Sequence, residues 1–84
     1  MLTEREILIR RAILKALSEC GDYLLLETHL FEASALKILH LRKSEFDAAI
    51  DALDVADRIQ SVNTERGTRW RILPAGKADL DRRD

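Results

Sequence analysis

"RIQSVNTERGTRWRIL", residues 58–73, is where the periodicity of the chain changes. Upstream, apolar residues recur at helical spacing. Here two short β-prone runs flank Glu65-Arg66-Gly67, which is a hairpin signal. In the second run Trp70 and Ile72 fall on one face and Arg69 and Arg71 on the other, because strand side chains alternate. The Trp70 face is read as core, and the arginines as a solvated strand face or a phosphate-binding one. Pro74 ends the second run, having no N–H for a ladder, and "AGKADLDRRD" allows at most a short final helix with a tail.

Working back from the hairpin, Ser44 is the expected cap of a helix over "SEFDAAIDALDVAD". Its buried stripe is Phe46, Ala49, Ile50, Leu53 and Ala56. The opposite face carries Asp47, Ala48, Asp51, Ala52, Asp54 and Val55, with Arg58 at the end. "LHLRK" forms the preceding turn. Thr28 is the expected cap of a helix over "HLFEASALKIL", with Phe31, Ala35 and Ile38 on one side, and "DYLLLE" is a brief strand or extended link. At the N-terminus, Thr3 with Glu6 three residues later is a capping box, and Gly21 after Cys20 is the matching stop. Leu2, Ile9, Ala12, Ile13, Ala16, Leu17 and Cys20 share one face of that first helix. Ile7 and Leu14, seven apart, lie off it.

With 84 residues the chain makes one domain, 1–84, and 46% hydrophobic content is enough for a small core. Fourteen basic residues against fifteen acidic leave a net charge of −1, so affinity for a polyanion has to come from a local patch. The single cysteine excludes an internal disulfide and fits a reducing compartment. The charged N-terminus lacks a signal-peptide apolar stretch, and no apolar run is long enough to span a membrane, so the expectation is a cytoplasmic protein. His29, His40 and Cys20 are too few and too scattered for a metal site, and the three isolated glycines build no phosphate cradle. Neither a catalytic arrangement nor a cofactor motif is present, and the chain is not expected to be an enzyme.

Helix, short strand, helix, turn, helix and hairpin is the order of a winged helix-turn-helix domain. Leu30 to Val62 resembles winged-helix repressors, in which a second helix, a serine-capped third helix and an "Ile-Gln-Ser-Val" strand follow at similar spacing. "RWRILPAGKADL" looks like the last strand and following turn of such repressors, and the chain also resembles small winged-helix proteins carried by phages and prophages. The resemblance implies an α+β fold of three helices and a C-terminal β-hairpin wing, at about 58–73, with a tail at 74–84. It also implies a DNA-binding, transcription-related module.

The third helix of the resembled repressors enters the major groove. Here Asp47, Asp51 and Asp54 would confront a duplex carrying about one negative charge per 1.7 Å of axis, so this helix is a poor groove reader. Positive charge is placed at the turn, on Lys37, Arg42 and Lys43, joined by His40 when protonated, and on the wing, on Arg66, Arg69 and Arg71. The first expectation is therefore double-stranded DNA contacted through these six residues. The alternative is a winged helix that binds a basic protein partner through Asp47, Ala48, Asp51, Ala52 and Val55 without binding DNA. Ile7 and Leu14 suggest a narrow seam for the first helix of a second copy, unless the C-terminal segment folds back over them.

Overall fold

The capping box at Thr3 forms as its spacing requires. Thr3 Oγ1 accepts from the Glu6 amide (3.1 Å), and Glu6 Oε1 accepts from the Thr3 amide (3.0 Å). Together they start α1 (Glu4–Glu19), and Gly21, at φ +64°, carries the chain out of it in the left-handed conformation. The computed structural model of the chain describes residues 2–21 and 23–81. After α1 come β1 (Leu25–Leu26), α2 (Glu27–Ala35), α3 (Lys43–Val55), β2 (Ile59–Thr64), β3 (Gly67–Ile72) and α4 (Pro74–Asp81). The fold is thus α+β, with four helices and a three-stranded antiparallel sheet among the described residues.

In the sheet the order is β1-β3-β2. Thr64 opposite Gly67 leaves Glu65-Arg66 as a two-residue loop, and Ile59 pairs with Ile72 at the far end. Leu25 and Leu26 pair with Trp70 and Arg69 on the other edge of β3. The strand bearing Trp70 is therefore central, not the edge of a two-stranded hairpin. Its core face is as expected, with Trp70 and Ile72 buried. The indole Nε1–H donates to Glu27 Oε1 (3.1 Å), which satisfies the one polar group of the side chain.

Phe46, Ile9, Ile13, Leu17, Leu30 and Ile59 are the fully buried apolar side chains about which α1, α2, α3 and the sheet assemble. The ring of Phe31 meets that of Phe46 edge-on at 5.2 Å. Two expected caps are corrected. Pairing with β3 holds Leu25-Leu26 extended, so α2 starts at Glu27, leaving Thr28 exposed one residue inside it. Likewise Glu45 Oε1 accepts from the Arg42 amide (3.0 Å), which starts α3 at Lys43 and puts Ser44 inside the first turn. At the other end of α3, Arg58 N–H bonds to Leu53 O and Asp57 N–H to Asp54 O, with Asp57 at φ +58°, the pattern of a Schellman stop. The stripe of α3 is buried at Phe46, Ala49, Ile50 and Leu53, whereas Ala56 is exposed.

The tail is a fourth helix. Pro74 opens α4, where a missing N–H is harmless, and Lys77 N–H makes the first helical bond, to Leu73 O (3.1 Å). α4 docks on α1 through the buried Gly76, beside Leu14. Arg58 anchors it from α3's end, its Nε 2.7 Å from Asp79 Oδ2. Residues 82–84 of the expected tail lie outside the described residues.

Candidate interaction surfaces

α3 presents to solvent the face its angles require. Asp47, Ala48, Asp51, Asp54 and Val55 are exposed, Ala52 is half-buried, and Val55 keeps 78% of its surface. Of the carboxylates, Asp47 pairs with Lys43 one turn back. Asp51 and Asp54 have no ion-pair partner among the described residues.

The six cations of the turn and hairpin differ in what they already touch. Lys37 Nζ lies 3.2 Å from Glu19 Oε1, and Lys43 is on Asp47 and over the rings of Phe31 and Phe46. Arg69 is half-buried and donates to Leu24 O (3.3 Å); Arg71 Nε donates to Gln60 Oε1 (2.7 Å) across the hairpin. The expectation that Arg69 shares an open face with Arg71 is corrected, because β1 closes on its side of β3. Arg42 and Arg66 are exposed, without a side-chain hydrogen bond or ion pair among the described residues, and Arg66 sits in the loop between β2 and β3.

One polar junction escaped the sequence reading. Arg5 Nε donates to Glu45 Oε2 (2.7 Å), and Arg5 Nη2 donates to Glu45 Oε1 (3.0 Å), Leu39 O and His40 O (both 3.1 Å). It ties α1 to the start of α3 and to the turn where His40 adopts φ +56°. Hydrogen bonds from Arg5, then from the Arg42 amide, hold the Glu45 carboxyl down to about 2. The Thr3 amide, and then the Thr3 hydroxyl, lower that of Glu6. R-K-S-E around residue 45 was the legible half of this junction; Arg5, forty residues away, carried no local signal.

Between α1 and α3 run two clefts. One, of about 390 Å³, is lined by Glu6, Ile9, Arg10, Glu45, Ala48 and Ala49, among others. The next, of about 320 Å³, is lined by Leu2, Ile7, Arg10, Arg11, Leu14, Ala52, Ala56 and Asp79 among others. Arg10 belongs to both, so Ala48, Ala52 and Ala56, at four-residue spacing, form one wall of a shared groove. The expected seam on α1 is corrected at Leu14, which α4 leaves only 3% exposed; Ile7 keeps 40% and Leu2 41%. Leu73 and Leu80 of the C-terminal segment are half-buried, and Leu80 packs against the core.

Among the described residues no three His, Cys, Asp or Glu side chains group as metal ligands, and no helix is long and apolar enough to cross a membrane. Comparison with protein families, with curated proteins and with solved structures finds no match to the chain.

Proposed function

We propose that this chain is a winged helix-turn-helix domain that works as a protein-interaction module through the solvent face of α3. The element order, with β1 closing on the hairpin in a β1-β3-β2 sheet, supports the winged-helix reading; β2 and β3 are the wing. One observation carries the function. Asp51 and Asp54 stand open on the helix that would have to enter a groove, beside the exposed apolar surface of Ala48 and Val55. Carboxylates facing phosphates repel, whereas carboxylates flanking small apolar side chains suit a basic, partly apolar protein surface.

A second reading, DNA binding through turn and wing, is favoured by Arg42 and Arg66, which are exposed and uncommitted. Two phosphate contacts give a salt slope of only about −1.8, at about −0.9 per contact. Titration with generic duplex DNA at two salt concentrations separates the readings. The interaction module binds weakly with a shallow slope, and Asp47→Lys with Asp51→Lys increases that binding. Tight duplex binding by the natural chain, steeply weakened by salt and abolished by the same two substitutions, would make α3 a DNA-contacting helix and refute the proposal.

A further inference from the structure

Across the α1–α3 groove the surface has an order. From the outer side of α3 across to α1, Asp51 and Asp54 come first, then Val55, Ala48, Ala52 and Ala56; Arg10 lies within the groove with Ile7 and Leu2, and Arg11 and the exposed Lys15 follow on the outer side of α1. Arg10, Arg11 and Lys15 make no ion pair among the described residues, and neither do Asp51 and Asp54. Of the carboxylates lining the groove, Glu45 is paired with Arg5 and Asp79 with Arg58, whereas Glu6, bonded to the neutral Thr3 amide, keeps its charge beside Arg10. The uncommitted charge is acidic on the outer side of α3 and mainly basic on α1, where Asp81 also borders Arg11 and Lys15, with apolar surface between.

A surface of that kind is complementary to itself. Rotation by a half-turn about an axis through its apolar centre brings the acidic edge of one molecule onto the basic edge of another, and the reverse contact follows by symmetry. Apolar centre meets apolar centre, and the alanines of α3 let the helices approach closely. We infer that the partner of the α1–α3 face is a second copy of this chain, in a two-fold dimer where Arg10 and Arg11 of each copy face Asp51 and Asp54 of the other. The inference rests on the reading of α3 as an interaction helix and names its partner. It also places Ile7 at the interface without requiring Leu14. Apolar contact supplies most of the attraction, and the charged edges set register and exclude a parallel arrangement.

Charge swapping tests it. One variant carries Asp51→Arg with Asp54→Arg, the other Arg10→Glu with Arg11→Glu; circular dichroism establishes that both fold. By sedimentation equilibrium the natural chain is expected near twice its 9.6 kDa, and each variant alone near 9.6 kDa. An equimolar mixture of the two variants should recover the dimer, because both edges of the mixed pair are again opposite in sign. A natural chain that stays monomeric across the concentration series overturns the inference and leaves the DNA titration above to judge α3 separately. Variants that remain dimeric alone, or folded variants that do not associate when mixed, overturn it equally.

Discussion

Gly76→Ala is a substitution that helix propensity alone would favour. Alanine is better than glycine in a helix by about 1 kcal/mol, and Gly76 lies in the first turn of α4. The structure reverses the sign. A Cβ built on Gly76 would overlap the carbonyl oxygen of Arg58, and would stand 2.9 Å from Ile72 Cγ1 and 3.1 Å from Leu14 Cδ2. The carbonyl cannot step aside, since it accepts from the Leu73 amide (2.9 Å) between β3 and α4. Ile72 is equally fixed, in the central strand. Either the packing absorbs the methyl at the usual overpacking cost of about 1–3 kcal/mol, or α4 lifts off and uncovers Leu14, whose burial is worth about 1.5–3 kcal/mol. Because the obstacle is a fixed backbone carbonyl, the cost lies in the upper part of these ranges, about 2–3 kcal/mol, and after the propensity gain a net destabilisation of about 1–2 kcal/mol remains. For a domain of this size that is a fall in Tm of about 4–16 °C. Thermal denaturation followed by circular dichroism measures it. A Tm equal to or above that of the natural chain would mean that α4 does not pack through Gly76, and the docking account would be wrong.

Three further outcomes are expected. Trp70→Ala should cost about 3–5 kcal/mol in chemical denaturation, since it empties a buried aromatic site and strands Glu27 without its indole donor; an unchanged midpoint would place Trp70 outside the core. Ser34→Ala should leave stability unchanged or raise it by about 1 kcal/mol, because the buried hydroxyl has no hydrogen-bond partner among the described residues, and a loss of stability would reveal a role for the hydroxyl. Glu45, held at about 2 against an ordinary 4.5, ionises more readily folded than unfolded. Its contribution is therefore complete above about pH 5 and is lost as pH falls through the folded value, so Glu45→Gln should flatten the urea midpoint between about pH 5 and pH 2; parallel curves for the two proteins would sink this assignment.

The parts legible in the sequence are those whose causes are local. Thr3 and Glu6 close a box within one turn, Gly21 ends a helix by its own backbone freedom, and Trp70 and Ile72 share a face because strands alternate. The outward face of α3 followed from its angles alone. What was not legible was decided by chain far away. Thr28 and Ser44 have the chemistry of caps. They lost the position because β3 pins Leu26, and because Arg5, bound to Glu45, steadies the carboxylate that reaches the Arg42 amide. Alternation alone puts Arg69 on the open face of a two-stranded hairpin; β1, a two-residue strand too short to announce itself, pairs beside it and leaves it half-buried and bonded to Leu24 O.

Leu14 shows how such a distant decision reshapes a surface. Ile7 and Leu14 at seven-residue spacing describe a seam running straight along α1, and a seam of that kind calls for one helix alongside another. α4 covers the Leu14 end and brings Asp79 and Arg58 to the rim, so the apolar surface that remains turns sideways, from Ile7 and Leu2 towards Ala52 and Ala56. A single helix facing outward has become a groove with a helix on each side, one rich in arginine and one in aspartate. The near-zero net charge acquires a different meaning once these positions are known. Fourteen cations and fifteen anions nearly cancel and leave little long-range field, while the few without an ion-pair partner at this face, Asp51 and Asp54 on α3 and Arg10 and Arg11 on α1, favour one orientation at contact. High salt should therefore weaken the proposed dimer without dissolving its apolar centre. It should also lift most of the penalty of Asp51→Arg with Asp54→Arg, so that this variant, monomeric at low salt, regains association as salt rises. Sedimentation of that variant at two ionic strengths measures the effect, and a variant equally monomeric at both would show that the aspartates act by shape or hydrogen bonding and not by charge.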